Sequence, residues 1–369
     1  MCPAIVTPPR HTPGTPSLVC HRQNAGAAPL SNCARFLLKK KTAYDIYERG
    51  SLLGRCKNVQ VGLPGGCKLG ARPIDQHIKG FELLGATVDI NSGVISAHAD
   101  KLVGTSIYMD TVSVGATINL MLAATISEGV TIIENPAKEP HIVDVANFLN
   151  TAGANIIGAG TDTIKINGVS QLNANITYSV VPDQIEAGTF MLAAVASQGD
   201  ITLKNCVPEH LDCLSAKIVE MGGTVKYNGD ELRVTMNSRP KAANVNTLPY
   251  PGFPTDLQSQ IGVVLSVANG TSIINESIWE SRFQYTAELN KMGAHIVAQG
   301  KTAIFEGVDS LTGAPVSATD LRAGAALIIA GIIANGTTTI DNLVHIDRGY
   351  ENIEEKFRNL GADIQRVQE

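Results

Sequence analysis

Aromatic residues are scarce in this chain, at 5%, with one tryptophan in 369 residues. Its core must therefore be built from aliphatic and small side chains. Long hydrophobic runs are missing too. The best, Ala323 to Ala334, is well short of the roughly 20 residues a membrane-spanning helix needs, so no membrane partner is expected. The seven cysteines are odd in number and none stands in a Cys-x-x-Cys pair. That argues against a disulfide framework and a zinc site, and for a reducing compartment. Excess charge is also lacking: the formal net charge is −5, which implies no broad surface for nucleic acid. Residues 1–44 contain no Asp or Glu, several prolines and the cluster Lys39-Lys40-Lys41. They read as an atypical, disordered-type segment with a non-native start. A transit peptide would share the acid poverty but would be amphipathic.

What the chain has in abundance is glycine, and the glycines repeat. A helix end followed by a strand recurs at a period of roughly 70 residues. It occurs as Leu84-Gly85-Ala86-Thr87-Val88, Ala152-Gly153-Ala154-Asn155-Ile156 and Met221-Gly222-Gly223-Thr224-Val225. Two further copies are Met292-Gly293-Ala294-His295-Ile296 and Leu360-Gly361-Ala362-Asp363-Ile364. Each glycine sits where a helix C-cap calls for a left-handed residue, and the alternating residues after it read as a strand. Between these markers lies a second pattern: an Asp, an apolar helix, a glycine and a β-rich run. Asp110, Asp183, Asp256 and Asp320 open its copies. The helices after them, such as Ala323-Gly324-Ala325-Ala326-Leu327-Ile328-Ile329-Ala330, are apolar nearly all round, which predicts burial. Helices inside and sheets outside are the expected arrangement.

Chemistry concentrates in Leu63-Pro64-Gly65-Gly66-Cys67-Lys68-Leu69-Gly70-Ala71-Arg72-Pro73. Glycines let backbone approach a ligand closely. Arginine offers a planar fork of donors for phosphate or carboxylate, and a thiol near such charge becomes reactive. The structural alternative is a surface loop with an incidental cysteine. Elsewhere, Ser113-Val114-Gly115 opens a helix whose free N–H groups suit an anion, or Ser113 is an N-cap and nothing more. Asp256 follows Pro251-Gly252-Phe253-Pro254, which the other repeats lack; an Asp before a helix is otherwise usually a cap. His77, His141 and His345 read as helix or core residues rather than ligands, and no metal constellation is present.

Taken together these motifs resemble the enolpyruvyl transferases, in the branch that acts on UDP-N-acetylglucosamine. The resemblance runs from about Gly50 to the C-terminus. It rests on LPGGCxxGxRPxxxHxxG at Leu63 to Gly80, SVGAT at Ser113 to Thr117 and ENPAKEP at Glu134 to Pro140. It continues with AGTDTIxINGV at Ala159 to Val169, PGFPTDxQ at Pro251 to Gln258 and ESRF at Glu280 to Phe283. ATDLRA at Ala318 to Ala323 and HIDRGYE at His345 to Glu351 complete it.

The resemblance implies a two-domain inside-out α/β barrel with a ligand cleft between the domains. A first domain is expected at residues 45–180, with its first repeat incomplete, and a second at 181–369. The implied reaction moves the enolpyruvyl group of phosphoenolpyruvate to the 3′-hydroxyl of UDP-N-acetylglucosamine, releasing phosphate. This is the first committed step of peptidoglycan synthesis. It implies no cofactor, no metal, and a cytoplasmic monomer.

By the same resemblance, Cys67 protonates phosphoenolpyruvate and Asp256 takes the hydroxyl proton. Arg72, Pro73, Ile74, Asp75 and Gln76 grip the nucleotide end, with Ser113, Val114 and Gly115 near the diphosphate. Arg282 and the backbone near Ile278 contact the sugar. Arg322, on the segment opened by Asp320, and Arg348 bind phosphoenolpyruvate. The bland alternative for these last two is a surface salt bridge, Arg348 with Asp347 or Arg322 with Asp320.

The family's opening strand and its Gly-x-Lys-Asn-Ala segment are not evident; Gln23-Asn24-Ala25 has Gln where Lys belongs. A relative that binds UDP-sugar without turnover is the non-enzyme alternative. The shikimate-directed branch of the same fold is a further one.

Overall fold

In the structure, a computed structural model that describes residues 5–7, 53, 57–63, 69–70 and 73–367, every repeat glycine ends a helix. Gly85, Gly153, Gly222, Gly293 and Gly361 have φ between +86° and +99°. Each uses the same pair of hydrogen bonds. Gly153 N donates to Asn150 O and Ala154 N to Leu149 O, and the pairs at Gly85, Gly222, Gly293 and Gly361 are their equivalents. This double closure satisfies carbonyls that a helix end leaves open. Asn150 reinforces it by exchanging two bonds with the backbone of Ile156, and Asn290 does the same with Ile296.

The chain divides into two compact units, residues 23–66 with 71–181, and residues 1–22 with 67–70 and 182–369. A short strand, β1 (Ile5–Thr7), belongs to the second unit. The first unit opens with β2 (Asn58–Gly62), α1 (Asp75–Leu83), β3 (Thr87–Asn91) and β4 (Val94–His98). A fuller module follows: β5 (Ser106–Tyr108), α2 (Val114–Thr125), β6 (Val130–Glu134), α3 (Pro140–Thr151), β7 (Asn155–Ile157) and β8 (Thr163–Asn167). Its sheets run β2-β4-β3 and β5-β6-β8-β7.

The second unit holds three modules among the described residues. The first is α4 (Gln184–Ala196), β9 (Asp200–Lys204), α5 (Asp212–Glu220), β10 (Thr224–Asn228) and β11 (Glu231–Thr235). The second is β12 (Val245–Asn246), α6 (Gln258–Ser266), β13 (Thr271–Asn275), α7 (Tyr285–Lys291), β14 (His295–Gln299) and β15 (Thr302–Glu306). The third is β16 (Pro315–Ser317), α8 (Leu321–Ile333), β17 (Thr339–Asp341) and α9 (Ile353–Asn359). The order β12-β13-β15-β14 repeats that of the first unit's four-stranded sheet, and β1-β9-β11-β10 has the same form with β1 antiparallel to β9. Ile5–Thr7 therefore pair as a strand inside the segment that composition marks as disordered, and supply an opening strand that sequence reading does not find.

All nine residues of α6 are buried, as are Ala323–Ala330 of α8. The strands instead alternate, and side chains on their outer faces meet solvent: Val297 is 69% exposed and Ile157 58%. Helices inside and sheets outside is thus the observed order. Small residues make it possible. A Cβ added at Gly324 would lie 2.4 Å from Ile346 Cγ1, and one at Gly188 2.5 Å from Leu257 Cδ1. Each unit has its own aliphatic core, and the aromatic shortage is met by a few rings such as the Phe190–Phe357 pair at 4.6 Å.

Candidate active site

Asp256 comes before α6 but does not cap it. It lies in the 3-10 turn Thr255–Leu257, and Leu257 takes the cap position with no side-chain bond. Asp183 and Asp320 do cap α4 and α8, each accepting from two backbone N–H groups. The Asp256 carboxylate turns instead to two guanidinium groups. Oδ1 accepts from Arg282 Nη2 at 2.9 Å, and Oδ2 accepts from Arg322 Nη2 at 3.0 Å and Nε at 3.2 Å. Burial works to raise its pKa, but the charges of Arg322 and then Arg282 outweigh that and hold the carboxyl well below its usual range. Its side chain remains 39% exposed, so this is a carboxylate at an opening, flanked by cations.

The arginines are held from behind. Arg282 is 3% exposed, in the loop between β13 and α7. That loop is anchored by Glu276, a buried carboxylate accepting from Ile278 N at 2.8 Å, Trp279 N at 3.1 Å and Thr255 Oγ1 at 2.9 Å. Glu276 thus ties the residue before Asp256 to the segment bearing Ile278 and Arg282. Arg322 is the second residue of α8; its Nη1 donates to Tyr350 OH at 3.2 Å and its Cζ lies 5.5 Å from that ring. A salt bridge between Arg322 and Asp320 does not form, because Asp320 is occupied with the backbone N–H of Arg322 and Ala323. Arg348 is exposed on the same loop as Tyr350, and neighbouring Asp347 pairs with Arg366 at 2.7 Å.

Among the expected residues, Cys67 and Arg72 lie outside the described ones. The exit of their loop is described: Ser281 N donates to Leu69 O at 3.0 Å, and Gly70, at φ +127°, packs on Glu280. Leu69 and Gly70 therefore rest on the ESRF segment that carries Arg282.

In the first unit a second group comes together. Pro73 lies just before α1. Ile74 takes the cap with ψ 11° and Asp75 begins the helix, leaving Pro73 one residue outside. Gln76 accepts from Asp110 N at 2.9 Å, and Asp110 also receives Lys79 Nζ at 2.7 Å. Asp110 is thus no cap; three residues on, Ser113 caps α2, accepting from Ala116 N at 3.3 Å. A Cβ on Gly115 would meet His77 Nε2 at 3.2 Å. The Pro73–Gln76 and Ser113–Gly115 segments are therefore neighbours, built on α1 and α2.

Thr189, Gln260, Glu276 and Tyr350 escape sequence reasoning as parts of this site. One signal was present: Gln258-Ser259-Gln260 puts three polar residues into an otherwise apolar inner helix, and buried polar groups need partners.

Comparison with known proteins agrees with this picture. The family model for EPSP synthase (3-phosphoshikimate 1-carboxyvinyltransferase) matches residues 46–357. The chain is 59% identical over 328 residues to UDP-N-acetylglucosamine 1-carboxyvinyltransferase of Clostridium botulinum, covering 89% of this chain and 78% of that protein. It is 57% identical to UDP-N-acetylglucosamine 1-carboxyvinyltransferase 2 of Clostridium acetobutylicum, covering 88% and 78%. Among solved structures, the enolpyruvyl transferase NikO from Streptomyces tendae shares the fold with a TM-score of 0.77 at 24% identity, over 90% of this chain and 79% of that one. Sequence, fold and the arginine-flanked carboxylate converge: the chain belongs to the enolpyruvyl (1-carboxyvinyl) transferase family.

Proposed function

We propose that this chain transfers the enolpyruvyl group of phosphoenolpyruvate to the 3′-hydroxyl of UDP-N-acetylglucosamine and releases phosphate, opening peptidoglycan synthesis. The observation that carries this reading is Asp256 held between Arg282 and Arg322 rather than used as a helix cap. Asp256 is the base for the sugar hydroxyl, Cys67 the proton donor to the methylene carbon, Arg322 and Arg348 neutralise the phosphate and carboxylate of phosphoenolpyruvate, and Arg282 with the backbone near Ile278 contacts the sugar. A carboxylate clamped by two cations is a weak base. Substrate anions that draw the guanidinium groups toward themselves raise its basicity, so proton abstraction follows binding. Pro73–Gln76 and Ser113–Gly115 take the nucleotide end, with the helix N-terminus at the diphosphate. In this reading the domains are residues 45–180 and 181–369, and the enzyme works as a cytoplasmic monomer.

The relatives' identity, 59% and 57%, supports the UDP-sugar branch over the shikimate branch. A binding-only relative gains no support, since those relatives are named as transferases. The test is phosphate release from phosphoenolpyruvate, with UDP-N-acetylglucosamine or shikimate 3-phosphate as acceptor. Release with the first acceptor, lost in Cys67→Ala and Asp256→Asn, is the expected result. Release only with the second, or with neither, overturns the reading.

A further inference from the structure

Behind Arg322 lies a buried polar chain that joins the inner helices of the second unit. Thr189 of α4 and Gln260 of α6 are 0% exposed and Tyr350 is 3%. With Arg322 of α8 they draw one residue from each of the three inner helices and one from the loop before α9. Thr189 Oγ1 donates to Ile185 O at 2.8 Å, so its proton is committed. The 2.9 Å contact between Thr189 and Tyr350 must then run from the phenol to the threonine oxygen. Tyr350 in turn accepts from Arg322 Nη1 at 3.2 Å. The direction of the chain is fixed: guanidinium to phenol, phenol to hydroxyl, hydroxyl to the carbonyl of α4. Gln260 Nε2 fastens the same cluster to the base, donating to Asp256 O at 3.0 Å and lying 3.2 Å from Thr189 Oγ1 and 3.3 Å from Tyr350 OH. The Asp256 carbonyl can only accept, which fixes that end of the amide as nitrogen, and the amide oxygen accepts from Ser259 Oγ at 2.9 Å.

This arrangement determines what Arg322 has left to give. A guanidinium has five N–H donors. Two go to Asp256 through Nε and Nη2 and one to Tyr350 through Nη1. One N–H remains on each terminal nitrogen, the pair that forks a carboxylate or phosphate. Without Tyr350 the guanidinium keeps its two bonds to Asp256 but loses the hold that fixes its far end.

We propose that Tyr350 is a positioning residue, which through Thr189 and Gln260 fixes the Arg322 guanidinium so that its two remaining N–H groups meet the anionic phosphorylated substrate. The inference rests on the transferase reading for the identity of that substrate. Tyr350→Phe keeps the ring over Arg322 and removes only the hydroxyl, which accepts from Arg322 and donates to Thr189. It is expected to raise KM for phosphoenolpyruvate about tenfold, with kcat changed less and KM for UDP-N-acetylglucosamine within about twofold. Thr189→Val, near-isosteric but unable to accept the phenol proton, is expected to act in the same direction. Thr189→Ser should restore wild-type values, and the Tyr350→Phe/Thr189→Val double variant should be no worse than Tyr350→Phe. A merely structural network would lower Tm and leave both KM values unmoved.

Calorimetric titration with phosphoenolpyruvate keeps the inference separate from the reading it rests on. Wild type that releases no phosphate yet binds phosphoenolpyruvate about tenfold more tightly than Tyr350→Phe would retain the positioning role while the transferase reading falls. Equal binding by wild type and Tyr350→Phe, binding by neither, or unchanged KM in an active enzyme overturns the positioning role.

Discussion

Replacing Lys356 by methionine tests what holds the last helix of the second unit to its core. Lys356 on α9 pairs with Glu186 on α4, and each is 5% exposed. The Phe190–Phe357 ring pair lies one turn further along α4 and next to Lys356 on α9, so the ions sit beside an apolar contact. Burial raises the Glu186 pKa; Lys356 opposes the rise, while Asp183 and Glu351 add to it. Removing Lys356 removes the opposing charge. A buried carboxylate without its partner costs about 3–5 kcal/mol. At roughly 2–4 °C per kcal/mol for a unit of this size, Tm should fall by about 10 °C.

The pH dependence identifies the cause. A carboxyl whose folded pKa is raised takes up a proton more readily folded than unfolded, so its penalty grows as pH rises above the unfolded value of about 4.3. The difference between wild type and Lys356→Met is therefore expected to be largest near pH 8 and to shrink toward pH 4.5. Under acid conditions Glu186 is neutral in both proteins, and wild type is left with an unpaired buried lysine. Urea unfolding at pH 8, 6.5 and 5 measures this. A Glu186→Gln/Lys356→Met double variant, with no buried charge, should recover most of the loss at pH 8. A penalty constant across pH, or a double variant as unstable as Lys356→Met, would refute the electrostatic account and leave lost side-chain packing.

Other sites separate backbone from side-chain constraints. Gly307→Ala would set a Cβ 1.7 Å from Ala268 O, a backbone atom that cannot swing aside, so a loss of about 3 kcal/mol or more is expected in urea melts. Gly62→Ala, with no described residue within 4 Å of the added carbon, should stay within about 0.5 kcal/mol; similar losses at both would contradict the steric argument. Tyr285→Phe removes a fully buried hydroxyl that has no hydrogen-bond partner among the described residues, and should be neutral or stabilising by up to about 1 kcal/mol. A loss above about 1 kcal/mol would mean that the hydroxyl is hydrogen-bonded through water.

How far the sequence reveals this molecule depends on the range of the interaction concerned. The helix-ending glycines are legible because the φ > 0 requirement is local, and Gly153 and Gly293 meet it with the same hydrogen bonds. The inner helices are legible because Ala323–Ala330 has no polar face to turn outward. The start of α1 is set by Ile74 rather than by Pro73, which stays one residue outside the helix. Tyr350 and Thr189 are illegible. They stand 161 positions apart, and nothing near either records that a hydroxyl waits across three helices. Glu276 is hidden in the same way: its partner Thr255 is 21 residues back, and its charge is absorbed by backbone N–H groups that no motif displays.

The four repeated aspartates show how such a site arises from duplicated parts. Asp183 and Asp320 do what a residue before a helix does by default, binding the backbone N–H groups of the first turn. Asp110 escapes that duty because Ser113 caps α2 instead, and it is left to Lys79 and Gln76, which hold its carboxyl below the usual range. Asp256 escapes by another route. Pro251-Gly252-Phe253-Pro254 leads into a 3-10 turn, Leu257 takes the cap position, and the carboxylate makes no cap bond to the first-turn backbone of α6. An unused carboxylate of this kind at a partly exposed helix start must find cations or stay solvated. Arg282 reaches it from 26 residues away and Arg322 from 66, the latter from the cap segment of the next module. The proline-flanked lead-in therefore goes with an aspartate that leaves the capping role and pairs with arginines instead. The same module that keeps its own capping aspartate, Asp320, supplies the arginine two residues later. Asp256 thus takes one guanidinium from its own module, Arg282, and a second from the next, Arg322, so the two-sided clamp needs both modules.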